Sequence, residues 1–359
     1  MEACDLSAVE ARRLIGAKQL SPVELMQSCI RRVEGVDHAV NAMVTRDFDR
    51  ALETARASER AVMEGAALGP LHGLPVGIKD TANTRDLLTT FGSPVMKDNV
   101  PAADDGFVAD LRQAGAIVIG KTNVPEWAAG ANTRNPVFGA TGNPFDTTRS
   151  AAGSSGGSAA ALACGMVPIA SGSDTGGSLR NPAAFCGVVG FRPSPGVIAA
   201  EKRGSAWIQI STLGPMGRDV ADARLMLNSM TRPNVHDPIA SLVNYGGPRA
   251  PFLKKPVDLA SLKAAFTPDF GFAPTEKRVA ETFAQKAGLF RSLFARAADD
   301  SPDCREADHA FAVLRATVVL GTFGYLARQH ADQIGPNIRA NIKEGEGYSA
   351  RDEIGRAHV

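Results

Sequence analysis

The 359-residue chain has almost no net charge: 39 Lys and Arg stand against 38 Asp and Glu, giving +1 at neutral pH. No long block of either sign occurs, so composition offers no electrostatic grip on nucleic acid or on a membrane surface. Its five cysteines, Cys4, Cys29, Cys164, Cys186 and Cys304, include no CxxC pair and are odd in number. They read as reduced, mostly buried thiols, which sets the expectation of a cytoplasmic protein without a disulfide framework. The six histidines are scattered, with no HExxH and no pair at helical spacing near an acid, so no metal site is expected. No uninterrupted apolar run reaches the length of a membrane span. The opening "MEACDLSAVEARRL" carries Glu2 and Asp5 and lacks the apolar stretch of a secretory signal. Internal repeats and low-complexity tracts are absent too.

What remains is an ordinary globular composition, 44% hydrophobic and 21% charged, in a chain long enough for a large buried core. Residues 5–65 read as helical. "DLSAVEARRLIGAKQLSPVELMQSCIRRVEGV" spaces its apolar residues three and four apart, Ser21-Pro22 followed by Glu24 marks a helix start, and a further helix is expected from Phe48 to Glu64. "GLPVGIKD" (Gly73–Asp80) is short, apolar and bounded by glycine and proline, as a buried strand ending at Lys79 would be. "DGFVADLRQAGAIVIGKTN" reads as helix, turn and strand, and "MVPIASGSD" as another core strand, a pattern that builds an α/β sheet covered by helices. Beyond Arg232 the texture loosens, with helices expected over Lys277–Arg296 and Asp308–Arg328.

Two Gly/Ser clusters stand out: "AAGSSGGSAAALACG" from Ala151 and "SGSDTGGSLR" from Ser171. Flexible linkers have polar flanks, whereas "AAALACGMVPIA" follows the first cluster directly, so this cluster opens a buried helix or strand. Neither GxxxxGK[ST] nor GxGxxG is present to cradle a phosphate. Gly153–Gly157 fits GxSxG with Ser155 as a nucleophile, but that turn needs a strand directly before the serine, and "NPFDTTRSAAG" is loop-like. The histidines that would have to follow, His236, His309 and His330, sit in no convincing setting. Ser155 is therefore rejected as a nucleophile-elbow serine.

Taken in order, "GLPVGIKD", "GKTNVPEWAAGANTRNPVFGATGNPFD" and "AAGSSGGSAAALACGMVPIASGSDTGGSLRNPAAFCGVVGFRP" resemble the amidase signature family, over nearly everything from residue 5 to 235. Ala151-Ala152 departs mildly from the family, which usually carries proline or glycine before its Gly-Ser-Ser. The resemblance implies an α/β fold with a central mixed β-sheet covered by helices on both faces. It also implies a Ser–Ser–Lys triad. Ser178 would be the nucleophile, Ser154 the bridging serine after a cis peptide, and Lys79 the base. A serine hydroxyl attacks well only when a neighbour takes its proton, and a lysine can do so only when burial keeps it neutral. Thr175, Gly176 and Gly177 would supply backbone N–H groups to an oxyanion hole, and Asp174 and Arg180 would pair to brace that loop.

The activity so implied is hydrolysis of a small-molecule carboxamide through a Ser178 acyl-enzyme, with no metal or organic cofactor. The partner set is an amide substrate, without nucleic acid or membrane, and leaves a homodimer open. Two alternatives stay open: the glutaminase (A) subunit of a tRNA-dependent amidotransferase, and a truncated non-catalytic homologue.

The expected organisation is an N-terminal helical segment (1–65), a signature core (66–235) and a C-terminal part of the same domain (236–352). "TPDFGFAPTEKRV" and residues 306–353 continue the resemblance to bacterial free-standing amidases, after which the family's last elements are expected to be lacking. The end "EIGRAHV", back-translated as GAG ATC GGA AGA GCA CAC GTC, reads in frame as a sequencing-adapter stretch, so 353–359 is a candidate non-native tail.

Overall fold

The computed structural model describes residues 2–201, 208–232, 234–243 and 257–355. Three helices come first: α1 (Ala8–Gly16), α2 (Pro22–Val40) and α3 (Phe48–Met63). Their ends follow from local chemistry. Ser7 Oγ accepts from the Glu10 N–H, and Ser21 Oγ accepts from the Val23 and Glu24 N–H groups with Pro22 at the first helical position. Asn41, at φ 53°, ends α2 in the left-handed conformation.

One expectation about this region needs correcting. Residues 5–65 are not all helical, because strand β1 (Met43–Arg46) intervenes between α2 and α3. Four residues are too few to show a period of two. The strand is fixed from outside its own sequence, by antiparallel pairing with β3 and by the buried Asp37 carboxylate, which accepts from the Ala42 and Met43 N–H groups.

The next elements are β2 (Pro75–Lys79), α4 (Gly106–Gln113) and β3 (Ile117–Thr122). Two short antiparallel pairs come after them, β4 (Arg134–Asn135) with β5 (Gly139–Ala140) and β6 (Gly142–Asn143) with β7 (Asp146–Ser150). Then come α5 (Gly156–Ala163), β8 (Ile169–Asp174), α6 (Arg180–Cys186), β9 (Val189–Gly190), β10 (Thr212–Gly217) and α7 (Val220–Met230).

Six of these strands form a mixed sheet in the order β1-β3-β2-β8-β10-β9. β2 runs parallel to β3 and β8, whereas β1, β10 and β9 pair antiparallel to their neighbours. Every residue of β2 and β3 is buried, as expected of central parallel strands covered on both faces. Helices α2, α3, α5 and α7 pack on the sheet, and one contiguous apolar core runs from Cys4 through Ile78, Ile119 and Leu162 to Met230.

After α8 (Pro238–Val243) the chain divides into two compact units, Met1–Phe252 with Arg315–Gly347, and Leu253–Leu314 with Tyr348–Val359. The second unit contains β11 (Lys263–Phe266), α9 (Lys277–Phe290) and β12 (Arg296–Asp299), a parallel strand pair joined through a helix. Helix α9 thus stops six residues before Arg296, where a helix was expected to end, and that residue instead opens a strand.

α10 (Ala307–Gln329) lies where a helix was expected over Asp308–Arg328. It is a single 23-residue helix long and apolar enough to cross a membrane by length and composition. Arg315 interrupts its apolar residues, so the unbroken apolar run stays shorter than a membrane span. In the first unit, Val319, Leu320 and Phe323 of α10 pack with Ile334 and with Ile338 and Ile342 of α11 (Pro336–Glu346). Glu353 lies in the last helix, α12 (Ala350–Gly355), and residues 356–359 of the expected tail lie outside the described residues.

Candidate active site

The sheet delivers its chemistry at the carboxyl ends of β2 and β8, where adjacent parallel strands open toward their connecting loops. Lys79 is the last residue of β2, and its N–H donates to Ser171 Oγ of β8 at 2.9 Å. Ser154 and Ser155 occupy the turn that enters α5, and Ser178 lies between β8 and α6.

The glycines around the turn are dictated by close approach. A Cβ on Gly157 would lie 2.2 Å from the Asn123 amide nitrogen, and one on Gly156 would lie 2.3 Å from Thr133 Oγ1. The Gly153–Ser154 peptide is cis. Ala152, the second residue of the Ala151-Ala152 pair before the turn, takes φ 57°, the left-handed region that glycine enters freely.

The Lys79 side chain is enclosed, and its Nζ reaches three hydroxyls: Ser154 Oγ at 2.7 Å, Ser155 Oγ at 2.9 Å and Ser173 Oγ at 2.9 Å. Burial pulls its pKa from 10.5 down to about 7, against the opposing pull of the Asp174 carboxylate. Half of such amines are neutral near pH 7, the condition for taking a proton.

The Ser155 N–H donates to the Ser178 carbonyl oxygen at 3.2 Å and ties the two Gly/Ser clusters together. Ser178 itself is half-buried, and among the described residues its Oγ has no hydrogen-bond partner. Catalytic hydrogen bonds in unliganded sites are commonly loose, so a free Oγ is compatible with later engagement of Ser154.

The loop that carries Ser178 is wound around Asp174. That buried carboxylate accepts from the Gly177 N–H at 2.9 Å and the Leu179 N–H at 3.1 Å, on either side of Ser178. Arg180 meets it as a bidentate pair, with both N–O distances 3.0 Å, which places the two expected loop-bracing residues together. Burial alone would raise the Asp174 carboxyl. The hydrogen bonds from Arg180, Gly177 and Leu179 outweigh that effect and hold it well below the ordinary carboxylate range.

This arrangement alters one expectation. The Gly177 N–H does not face a common cavity with those of Thr175 and Gly176, because the buried carboxylate captures it. Among the described residues, the N–H groups of Thr175, Gly176 and Ser178 have no protein acceptor. Gly177 itself, at φ 106° and with Asn181 Nδ2 2.6 Å from where a Cβ would sit, is a position only glycine fills without strain.

Three neighbours escaped the sequence reading. Ser155 and Ser173 hold the lysine, although neither signals that role except by adjacency to Ser154 and Asp174. Arg192, in "GFRP", donates to the Asp174 carbonyl oxygen, to its Oδ1 at 2.8 Å and to the Ile210 carbonyl oxygen at 2.8 Å. Among the described residues Ser155 pairs with no histidine, and the nearest preceding strand, β7, ends at Ser150. Among the described residues no group of three or more His, Cys, Asp or Glu side chains is placed to hold a metal ion.

A family model described as Amidase matches residues 24–353. The glutamyl-tRNA(Gln) amidotransferase A-subunit of Moorella thermoacetica is 42% identical over 241 residues, covering 67% of this chain and 49% of that protein. An acylamidase of Rhodococcus erythropolis is 36% identical over 297 residues, 83% of this chain and 62% of that protein. The crystal structure of a bacterial aryl acylamidase of the amidase signature enzymes superposes with a TM-score of 0.86 at 28% identity, over 98% of this chain and 74% of that one. The chain spans about half the length of the first curated relatives it matches, 49% and 50% of two amidotransferase subunits.

Proposed function

Since the chain belongs to the amidase signature family, whose members are amide hydrolases, we propose that it hydrolyses a small-molecule carboxamide or N-substituted amide through an acyl-enzyme on Ser178. The observation that carries this reading is the enclosed Lys79 Nζ, 2.7 Å from Ser154 Oγ at the strand ends beside the Ser178 loop.

In the proposed reaction, Ser178 Oγ attacks the amide carbonyl carbon and passes its proton to Ser154 Oγ. Ser154 gives its own proton to the neutral Lys79 amine, since a hydroxyl donates and accepts at once. The negative charge that develops on the carbonyl oxygen is met by the N–H groups of Thr175, Gly176 and Ser178, and each such donor contributes on the order of 3 kcal/mol. Collapse of the tetrahedral intermediate breaks the C–N bond, and the proton held on Lys79 returns through Ser154 to the departing amine. Water then attacks the ester carbonyl by the same relay, releasing the carboxylate and restoring the Ser178 hydroxyl. Ser155 and Ser173 keep the lysine in place, and Asp174, with Arg180 and Arg192, sets the loop.

A free-standing amidase is the first reading. Support comes from the acylamidase match over 297 residues, longer than the 241-residue match to the Moorella protein. The glutaminase reading has support of its own, because the amidotransferase A-subunit of Thermobifida fusca aligns over 296 residues at 36% identity.

The experiment is fluorophosphonate labelling read by mass spectrometry, beside product release from a panel of anilides, primary carboxamides and glutamine. The free-standing reading expects one adduct on Ser178, lost in Ser178→Ala, and turnover of the anilides or carboxamides by the chain alone. Ammonia release confined to glutamine, and only with partner subunits added, would transfer the chain to the second reading. Absence of any Ser178 adduct on folded protein would leave a non-catalytic homologue.

A further inference from the structure

A second lysine is as deeply enclosed as Lys79 and stands on the neighbouring strand. Lys121 of β3 pairs with Ile78 in the β2–β3 register, one position before the Thr122–Lys79 pair, and its side chain is fully buried. Enclosing an ammonium is costly unless its N–H groups are all met. Here its three donors go to the Ala82 carbonyl oxygen, to Thr84 Oγ1 at 2.8 Å and to Thr89 Oγ1 at 3.0 Å. All three acceptors belong to the segment that leaves the end of β2.

The same segment is held at both of its ends. The Ala82 N–H donates to the Lys79 carbonyl oxygen at 3.0 Å. The buried Asp80 carboxylate accepts from Thr90 Oγ1 at 2.7 Å, while the Phe91 N–H donates to the Asp80 carbonyl oxygen at 3.0 Å. The polar atoms of Lys121 therefore close a loop that begins and ends on the backbone of Lys79 and Asp80. From there the order passes outward. The Trp127 N–H donates to the Phe91 carbonyl oxygen at 2.7 Å, and the two rings stack with centroids 5.0 Å apart.

We infer that Lys121 is a positioning residue for the site: by gathering Ala82, Thr84 and Thr89 it fixes the segment after β2, and thereby holds Lys79 Nζ against Ser154. The inference rests on the proposed role of Lys79 as base. A surface lysine on an exposed loop could not do this, because water competes for its donors; only an enclosed cation with three fixed acceptors gathers a loop.

The test uses the full chain with Lys121→Met, which keeps the bulk and removes all three donors, and the milder Thr89→Val, which removes one acceptor. Two quantities are read on protein shown to be folded by circular dichroism. One is the titration midpoint of the Lys79 amine, followed by NMR with labelled lysine side chains and assigned by its loss in Lys79→Met. The other is the rate of fluorophosphonate labelling at Ser178.

The expected result is a Lys79 midpoint moved upward from about 7 toward 10.5, with labelling slowed on the order of 100-fold in Lys121→Met and 3- to 10-fold in Thr89→Val. An unchanged midpoint in both variants overturns the inference, whatever happens to thermal stability. So does a moved midpoint with labelling at the wild-type rate. If Lys121→Met does not fold, Thr89→Val decides. If the wild type takes no label, the proposed catalytic reading falls, and the Lys79 midpoint alone decides whether Lys121 positions that side chain.

Discussion

The Gly177 N–H donates to Asp174 Oδ1 across 2.9 Å, and the loop that carries Ser178 is bent around that bond. An aspartate three residues before a glycine pulls the backbone of Gly177 inward, and among the described residues the N–H groups of Gly176 and Ser178 have no acceptor. The pairing bends the backbone on both sides of Ser178 and removes the Gly177 N–H from the donors that the proposed reaction would use.

Arg192 should therefore matter more than Arg180, although both contact Asp174. Both pairs share the enclosed Asp174 carboxylate, but the Arg180 side chain is 56% exposed and Arg192 only 23%, so water screens the Arg180 contact more. Arg192→Met is expected to lower stability by about 1–3 kcal/mol and to slow Ser178 labelling about 10- to 100-fold. Arg180→Met should change each by much less. Urea melts and labelling rates on the two variants check the order; the reverse order would remove Arg192 from the account of the loop.

The proposed base predicts the pH dependence of acylation. With Lys79 at about 7, kcat/KM for amide hydrolysis should fall about tenfold per pH unit below that value and level off above it. A profile flat from pH 5 to 8 would show that no group titrating near 7 takes the proton.

The same lysine links stability to pH. Its folded pKa, about 7, lies below the value of 10.5 for a free lysine, so between those values the unfolded chain binds the extra proton and stability rises with pH. Measured against Lys79→Met, which lacks the titration, the wild type should gain on the variant between pH 7 and 10 and should not gain below pH 6. Paired denaturant melts across that range read the difference directly. A gap between the two proteins that stays constant with pH would place the lysine in contact with water.

Gly157→Ala should disturb the site without touching a reacting group. Its Cβ would sit 2.2 Å from the Asn123 nitrogen and 2.8 Å from the Ala42 carbonyl oxygen, both of them backbone atoms that cannot swing aside. Overpacking of this kind costs about 1–3 kcal/mol. The displaced turn carries Ser154, so labelling of Ser178 should slow as the melting temperature falls. A variant with wild-type stability would mean that α5 shifts freely on β3.

Much of this could be read along the chain. Proline and glycine around "PVGIK" marked β2, Ser21-Pro22 marked the start of α2, and the ordered motifs carried the resemblance that implied a joint role for Lys79, Ser154 and Ser178. The first two signals are local, since each depends on a backbone preference; the third rests on the order of motifs along the chain. The helix expected over Asp308–Arg328 is found as α10, whereas β1 was hidden because its four residues owe their conformation to β3 and Asp37.

By itself, then, the sequence determined the residue types of the site and the α/β texture that carries them. The tertiary structure decided their relations. Lys79 and Ser154 are 75 positions apart, and only the parallel pairing of β2 with β8 and the packing of α5 bring their side chains together. The pull on the Lys79 pKa, the capture of the Gly177 N–H by Asp174 and the enclosure of Lys121 all arise from exclusion of water and from the fixed distances between buried groups. Those are properties of packed space, and they have no local signature in the order of residues.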